Sequence, residues 1–373
     1  MISLNKTGYI KTQSTEDYLS THFVGYYSYI LSNAGDGLNY IYKKLYEEHG
    51  SLRIGVSPLS CVLAIYPIVM NGHTPVFIDV DPDTLNMDIH QLFSTIDLDV
   101  VEVIHLGGNP NEMDVICKWA KDNDIIIIED CAQALGSSYD GVELGNFGDY
   151  SVFSLIKNLH ETTGGLFLSK HTIRTDLFQQ IPSHIIAYRV LKRFLESHTN
   201  HHCYNPWNFF YSTLLQMKEK KGQRVTKDIH RLSEERSNAL IKRFNTIVEL
   251  NAKRVKNAND IIKGIDDSRY IVQKVLPKGL SNRNRLLLRL VSGDAQKTIS
   301  KLREKGIAAN NLTQHYLYGF QPHIGKDNLL SCYYHKEQLE VYDSIFNSVI
   351  AVPSSPYLTR NEKEHIINTL NSI

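Results

Sequence analysis

The stretch from Ile125 to Gly165 constrains this chain more than any other. It reads IIIIEDCAQALGSSYDGVELGNFGDYSVFSLIKNLHETTGG. Consecutive isoleucines bounded by polar residues predict a strand buried on both faces, as in the parallel sheet of an α/β protein. The apolar run ends in Glu129 and Asp130, and Gln133 follows. Open α/β sheets place their ligand crevice outside the C-terminal ends of such strands, so these polar side chains fall where a ligand lies. The next apolar run, Tyr150 to Ile156, predicts a further strand that delivers Lys157 into a polar loop closed by Gly164 and Gly165.

An Asp at one strand end and a Lys after a neighbouring strand suit pyridoxal phosphate (PLP) chemistry. The lysine supplies the amine that joins the cofactor's aldehyde, and the carboxylate pairs with the pyridinium nitrogen and keeps the ring an electron sink. Taken singly, a strand-end Asp is more often a helix cap and a lone Lys is more often solvated. The pair, in this order on two strands, is what carries the reading.

The remainder of the chain supports an α/β architecture. Upstream, LRIGVSP, PVFIDVDPDTLNMD and VVEVIHLGG read as strands. Helical spacing is present from Leu38 to Leu45, from Cys61 to Met70 and from Glu112 to Lys121. That alternation predicts a mostly parallel sheet sandwiched by helices. Ser32 or Asn33 is placed to cap the first of these helices, leaving backbone N–H groups that suit a phosphate, although an ordinary capped surface helix has the same pattern. Residues 171–229 break the alternation and are aromatic and basic in patches. They include His198, His201, His202 and Cys203, a set without the second ligand pair of a zinc site. Charged residues alternate with apolar ones from Arg231 to Ile265, which predicts one long helix leading into a smaller C-terminal α/β part. That part reads as a strand at Arg285 to Val291, a helix from Ala295 to Lys305, and a final helix capped by Thr359 or Asn361. The domain expectation is therefore 1–235 for the large, ligand-binding part, with 171–229 a divergent excursion, and 236–373 for the small one.

Bulk properties narrow the partners. The 373 residues suffice for two domains, and the 40 basic and 40 acidic residues cancel. Nothing in that balance calls for nucleic acid or an anionic membrane. Five cysteines form no CxxC pair, which favours a reducing compartment. The N-terminal residues have no apolar signal-peptide core, and no stretch approaches the ~20 apolar residues of a spanning helix. The expectation is a soluble cytoplasmic protein.

These segments resemble the DegT/DnrJ/EryC1/StrS group of PLP-dependent nucleotide-sugar aminotransferases, which have the aspartate-aminotransferase fold (fold type I). The resemblance is carried by PVFIDVDPDTLNMD, HLGGNPNEMD, the DCAQALG stretch and IKNLHETTGG. It continues through HRLSEERSNALIKRF, KLREKGI and VPSSPYLTRNE, leaving 171–229 unmatched. It implies PLP as cofactor, Lys157 as the lysine that bonds it, Asp130 as the pyridinium partner, and Gln133 near the ring's 3-hydroxyl side. It implies an amino-acid donor, glutamate in most of the family, and a nucleotide-linked keto sugar as acceptor. A homodimer with shared sites is implied too. Arg231 and His315 are candidates for holding substrate.

Several positions depart from the family pattern. The Gly-Thr that holds the cofactor phosphate is Ala34-Gly35 here, and the phosphate-binding Ser is Val152. Ser154 shares a strand face with Val152 and is the expected substitute, whereas Ser151 points to the other face. The ring-stacking aromatic is Val62, the Asn reaching across from a partner subunit is Ile229, and the acid before the paired glycines is Thr163. The chemistry is kept while the grip on phosphate and ring is altered. The competing expectation is a non-catalytic relative that keeps the fold but binds PLP weakly or not at all.

Overall fold

The computed structural model describes residues 18–198, 228–311, 333 and 336–373. Strands are numbered β1 (Tyr27–Leu31), β2 (Arg53–Val56), β3 (Thr74–Phe77), β4 (Val100–Ile104), β5 (Ile126–Asp130), β6 (Ser138–Tyr139), β7 (Val142–Glu143), β8 (Tyr150–Ser154), β9 (Gly165–Ser169), β10 (Phe178–Gln180), β11 (Ile229–Arg231), β12 (Tyr270–Val272), β13 (Gly279–Leu280), β14 (Leu286–Leu290) and β15 (Val349–Val352). Among the described residues nine of them form one sheet in the order β10-β11-β1-β9-β8-β5-β4-β2-β3. From β3 through β8 every pairing is parallel, as the helical crossovers require, and β9 and β1 join antiparallel.

Every residue of β4, β8 and β9 is buried, because helices cover both faces of the sheet. Strand alternation sorts the core into two layers. Val100, Ile104, Ile128, Tyr150, Val152 and Phe167 pack with Leu38, Ile41 and Tyr42 of the helix Ala34–His49. Val101, Val103, Ile127, Phe153, Leu166 and Leu168 pack on the other side with Ile116 and Ala120 of the helix Met113–Asp122. Asp130 belongs to the first layer and Glu129 to the second.

The helix Ala34–His49 starts where predicted, with Asn33 as its cap: the Asn33 side chain accepts from the Asp36 N–H at 3.1 Å. Two glycines let this end of the helix press onto the sheet. A Cβ on Gly165 would lie 2.3 Å from the Asn33 carbonyl carbon, and one on Gly37 would lie 2.7 Å from Val152 Cγ1. The helix Val62–Met70 and its stop at Asn71 also follow the sequence pattern.

The C-terminal part has its own antiparallel sheet, β12-β14-β15. Its core joins Ile261, Leu286, Leu288, Ile299, Leu302, Ile350, Ile366 and Leu370. At ~1.5–3 kcal/mol per buried aliphatic side chain, that is a substantial core in itself. Thr359, not Asn361, caps the last helix, in a capping box with Glu362.

Three expectations change. The predicted single helix from Arg231 to Ile265 is a strand (β11), then the helix Glu234–Arg243 capped by Ser233, a 3-10 turn at Phe244–Thr246, and the helix Ile247–Gly264. Charge alternation cannot reveal such a strand, because β11 is held by backbone pairing with β1 and β10. Lys157 stands in a short helical turn, Leu155–Asn158, instead of a polar loop. Within 171–229, residues Phe178–Gln180 are the edge strand β10, and Ser183–His198 are a helix. The set His201, His202 and Cys203 lies outside the described residues, as does His315.

Candidate active site

Asp130 ends β5, paired in register with Ile104 on one side and Val152 on the other. It is 7% exposed, and one carboxylate oxygen accepts the Ala132 N–H at 2.8 Å. Burial pushes its carboxyl up, and the Lys157 charge pulls it back. Lys157 is fixed through its backbone. Its N–H donates to Ser154 Oγ at 3.4 Å, and its carbonyl accepts Asn284 Nδ2 at 3.1 Å. Asn158 completes the clamp: its Nδ2 donates to the Ala132 carbonyl at 2.9 Å and to the Ser154 carbonyl at 2.7 Å. The end of β5 and the lysine turn are thereby tied into one unit.

Gln133 joins the same unit. Its Oε1 accepts the Gly107 N–H at 3.0 Å, which ties it to the HLGG turn after β4. That turn needs glycine, since Gly107 has φ 71 and Gly108 has φ 86. A Cβ on Gly108 would also collide with Asn282.

Glu129 anchors the opposite face. It is fully buried, and it accepts from the N–H groups of Gly145 (2.9 Å), Phe147 (2.8 Å) and Gly148 (2.7 Å), with His105 Nε2 at 3.2 Å. Burial alone would raise its carboxyl, but these partners outweigh it and hold the group below its ordinary value. His105, Glu129 and Cys131 are close enough to suggest a metal cluster. The carboxylate oxygens are already engaged by those donors, so the geometry reads as a structural knot. Ser151, on this face as expected, donates to the Gly145 carbonyl at 2.9 Å.

The phosphate-side candidates are less open. Ala34 and Gly35 form the first turn of the helix Ala34–His49, with its N–H groups. Asp36 stands in the same turn, pushed up to about 6 by burial, an effect that Ser32, His230 and Arg189 counter. Ser32 Oγ donates to Asp36 at 2.5 Å. Arg189 donates to Thr163 Oγ1 at 2.7 Å and to the Ser32 carbonyl at 3.1 Å. Ser154 is 7% exposed, and its oxygen caps the lysine turn. Val152 packs against Gly37. Ile229 is a core residue of β11, and Val62 opens its helix. Arg231 also lies in β11, opposite Leu31, with its side chain exposed; no described contact links it to the Lys157 turn.

Sequence reasoning did not single out Glu102. It is fully buried on β4, on the same sheet face as Asp130, and accepts the Tyr42 hydroxyl. Its other oxygen has no hydrogen-bond partner. Burial, then the charge of Asp130, push its carboxyl far up. The only signal was an acid inside the apolar run VVEVI.

The model of the DegT/DnrJ/EryC1/StrS aminotransferase family matches residues 7–371. The chain belongs to that family. Two relatives are a GDP-perosamine synthase of Escherichia coli O157:H7, 37% identical over 111 residues, and a dTDP-4-dehydro-2,3,6-trideoxy-D-glucose 4-aminotransferase of Saccharopolyspora spinosa, 36% identical over 113 residues. Each alignment covers 29% of this chain, and it covers 30% and 29% of the respective relative. Among solved structures, Spr1654 of Streptococcus pneumoniae in its PLP form matches with a TM-score of 0.68 at 19% identity, over 95% of this chain and 88% of that one. The large mixed sheet with flanking helices is thus the α/β fold of this family, fold type I. PLP dependence is a property of the family.

Proposed function

We propose that this chain is a PLP-dependent transaminase that moves an amino group from an amino acid, glutamate being the first choice, to the keto group of a nucleotide-linked sugar. The surface-polysaccharide or deoxyamino-sugar routes of its relatives are where such a product is used. The observation that carries this reading is the Asn158 clamp, which fastens the Lys157 turn to the chain just after the buried Asp130. The residues present fit the cofactor: an amine for its aldehyde, a buried carboxylate for its pyridinium nitrogen, and helix N–H groups for its phosphate. When bound, PLP supplies the electron sink that lets an amine change carbon. The chain's own part is to orient and to move protons. With PLP bound, Asp130 would hold a proton on the ring nitrogen, Gln133 would border the ring beside the Gly107 turn, and the freed Lys157 amine would carry the proton between the two carbons that flank the exchanging nitrogen. Ala34, Gly35 and Ser154 stand at the phosphate end. Arg231 and His315 are retained as substrate contacts, and a homodimer as the assembly. Among the described residues no helix is long and apolar enough to cross a membrane.

Borohydride reduction of the purified protein tests this reading. It should bleach a yellow protein and leave a reduced pyridoxyl adduct on Lys157, located by peptide mass. Colourless protein that takes up no added PLP would sink the proposal. That result would favour a second reading, a relative with the fold but little cofactor binding. Val152 pressed on Gly37, and Asp36 in the first helical turn, are the observations on its side.

A further inference from the structure

The turn that carries Lys157 is too short to hold itself. Leu155–Asn158 is a single helical turn of 4 residues, and a turn of that length has no stability of its own in water. Its place is set by the groups that grip it. Ser154 accepts the Lys157 N–H, and the Asn158 amide ties the turn to the Ala132 carbonyl. A further grip comes from Arg254, on the helix Ile247–Gly264. Arg254 is 1% exposed, and burial lowers its guanidinium to about 10, so it stays charged at neutral pH.

The Arg254 fork spans three acceptors. Nη2 donates to the Asn158 carbonyl and to His160 Nε2 at 3.0 Å, while Nη1 donates to Asn251 Oδ1 at 2.6 Å. The Asn158 carbonyl ends the Lys157 turn, where the partial negative charge of a helix end favours a cation. His160, two residues on, has φ 56, a conformation that a non-glycine residue keeps only where its surroundings hold it. A guanidinium only donates, so Nε2 accepts and the His160 proton sits on Nδ1. The same ring meets Tyr357 edge-on at 5.3 Å. Asn251 carries the contact to the second loop of the site. Its Nδ2 donates to the Leu135 carbonyl at 2.9 Å, just past Gln133 in the chain. The approach is so close that a Cβ on Gly136 would lie 2.5 Å from that nitrogen. Arg254 is therefore the joint between the loop behind Asp130 and the turn of Lys157.

We propose that Arg254 is a positioning residue for Lys157: through Asn158, His160 and Asn251 it keeps the lysine turn in register with the loop that carries Asp130 and Gln133. This rests on the amino-transfer reading above. That reaction frees the Lys157 amine from the cofactor while the proton moves, so during that step only the protein holds the amine in place. A reacting group displaced by about 1 Å loses on the order of a hundred-fold in rate, so a non-covalent anchor at this turn bears on the chemistry. A guanidinium suits the position because its planar fork bridges several acceptors at fixed angles, where an ammonium is a single point.

The test uses the full chain, in wild-type form and as Arg254→Lys and His160→Gly. Arg254→Lys keeps the charge and loses the fork. His160→Gly removes one acceptor and keeps the backbone, since glycine takes a positive φ without strain. Each protein is mixed with PLP, and the growth of its visible absorbance band is timed, with the borohydride adduct on Lys157 located by peptide mass. Visible circular dichroism per bound PLP reports how firmly the cofactor is held in one orientation, and thermal melting reports stability. Arg254→Lys should take up PLP roughly ten- to hundred-fold more slowly and show weaker circular dichroism per bound PLP, with His160→Gly changed in the same direction by less. Wild-type uptake and wild-type circular dichroism in both variants overturn the proposal. A lower melting temperature with both readouts at the wild-type level overturns it too, because Arg254 then serves the fold alone. The amino-transfer reading fails separately, through the absence of a borohydride adduct on Lys157 in the wild-type chain.

Discussion

Glu102 is the residue whose chemistry departs furthest from what its type suggests. Glu102 is fully buried with one hydrogen-bond donor and Asp130 close by, so burial first, and then the Asp130 charge, push its carboxyl well above the ordinary carboxylate value. The consequence for stability has a definite sign. A raised native pKa means that the folded chain keeps a proton the unfolded chain has lost, so stability is fully present below the unfolded carboxyl value of ~4.3 and is lost as pH rises towards the native one. Glu102→Gln keeps an acceptor for Tyr42 and removes the titration. Its unfolding free energy should therefore gain on wild type by about 1.4 kcal/mol per pH unit above ~4.3, until the native value is reached. Urea unfolding at a series of pH values from 4 to 8 measures the gap, and two parallel curves would show that Glu102 is already ionised in the fold. Asp130 itself was legible, because it ends an unbroken apolar run. Glu102 was not, because nothing in VVEVI says that Tyr42, a helix away, supplies the hydroxyl that lets the acid stay inside.

Strand β8 shows what alternation decides at the scale of an element. Ser151 serves the far layer, where it bonds the Gly145 carbonyl beside the Glu129 knot, while Ser154 caps the Lys157 turn on the near side. Ser154→Ala should loosen that turn and weaken PLP retention, seen as faster loss of the cofactor's absorbance on dialysis. Ser151→Ala should instead lower the urea midpoint by about 1 kcal/mol equivalent and leave retention unchanged. Equal loss of cofactor from both variants would refute the division of faces. The two-residue period made this split readable from sequence, as the 3.6-residue period did for the helices Ala34–His49 and Val62–Met70. The strand β11 was hidden, since its partners β1 and β10 lie far away in the chain and its own HRLSEE neighbourhood is rich in charge. The same limit applies to Arg254, which looks like an ordinary helix cation until the fold buries it against the Asn158 carbonyl at the Lys157 turn.

At the scale of the molecule, the question is how the C-terminal part is locked to the sheet that holds Asp130 and Lys157. The links are amide side chains reaching across. Gln273 Nε2 donates to the carbonyls of Thr84 (2.8 Å) and Leu106 (3.0 Å), Asn109 Nδ2 to the Lys274 carbonyl (2.8 Å), and Asn282 Nδ2 to the Leu135 carbonyl (3.0 Å). β13 adds a backbone pairing with β6. Such a seam is directional, so it fixes one relative placement where an apolar contact of the same area would permit sliding. Gln273 is its most exacting member: it is 3% exposed, and it bonds the Leu106 carbonyl at the start of the turn whose Gly107 holds Gln133 and meets Arg285. Gln273→Leu leaves the Thr84 and Leu106 carbonyls without that donor, and should cost about 1–3 kcal/mol per the loss of buried hydrogen bonds, with the urea m-value unchanged. Because the same turn positions Gln133, PLP retention should fall along with stability. A Gln273→Leu variant that is destabilised yet retains PLP like wild type would show that the seam supports the fold without setting the site.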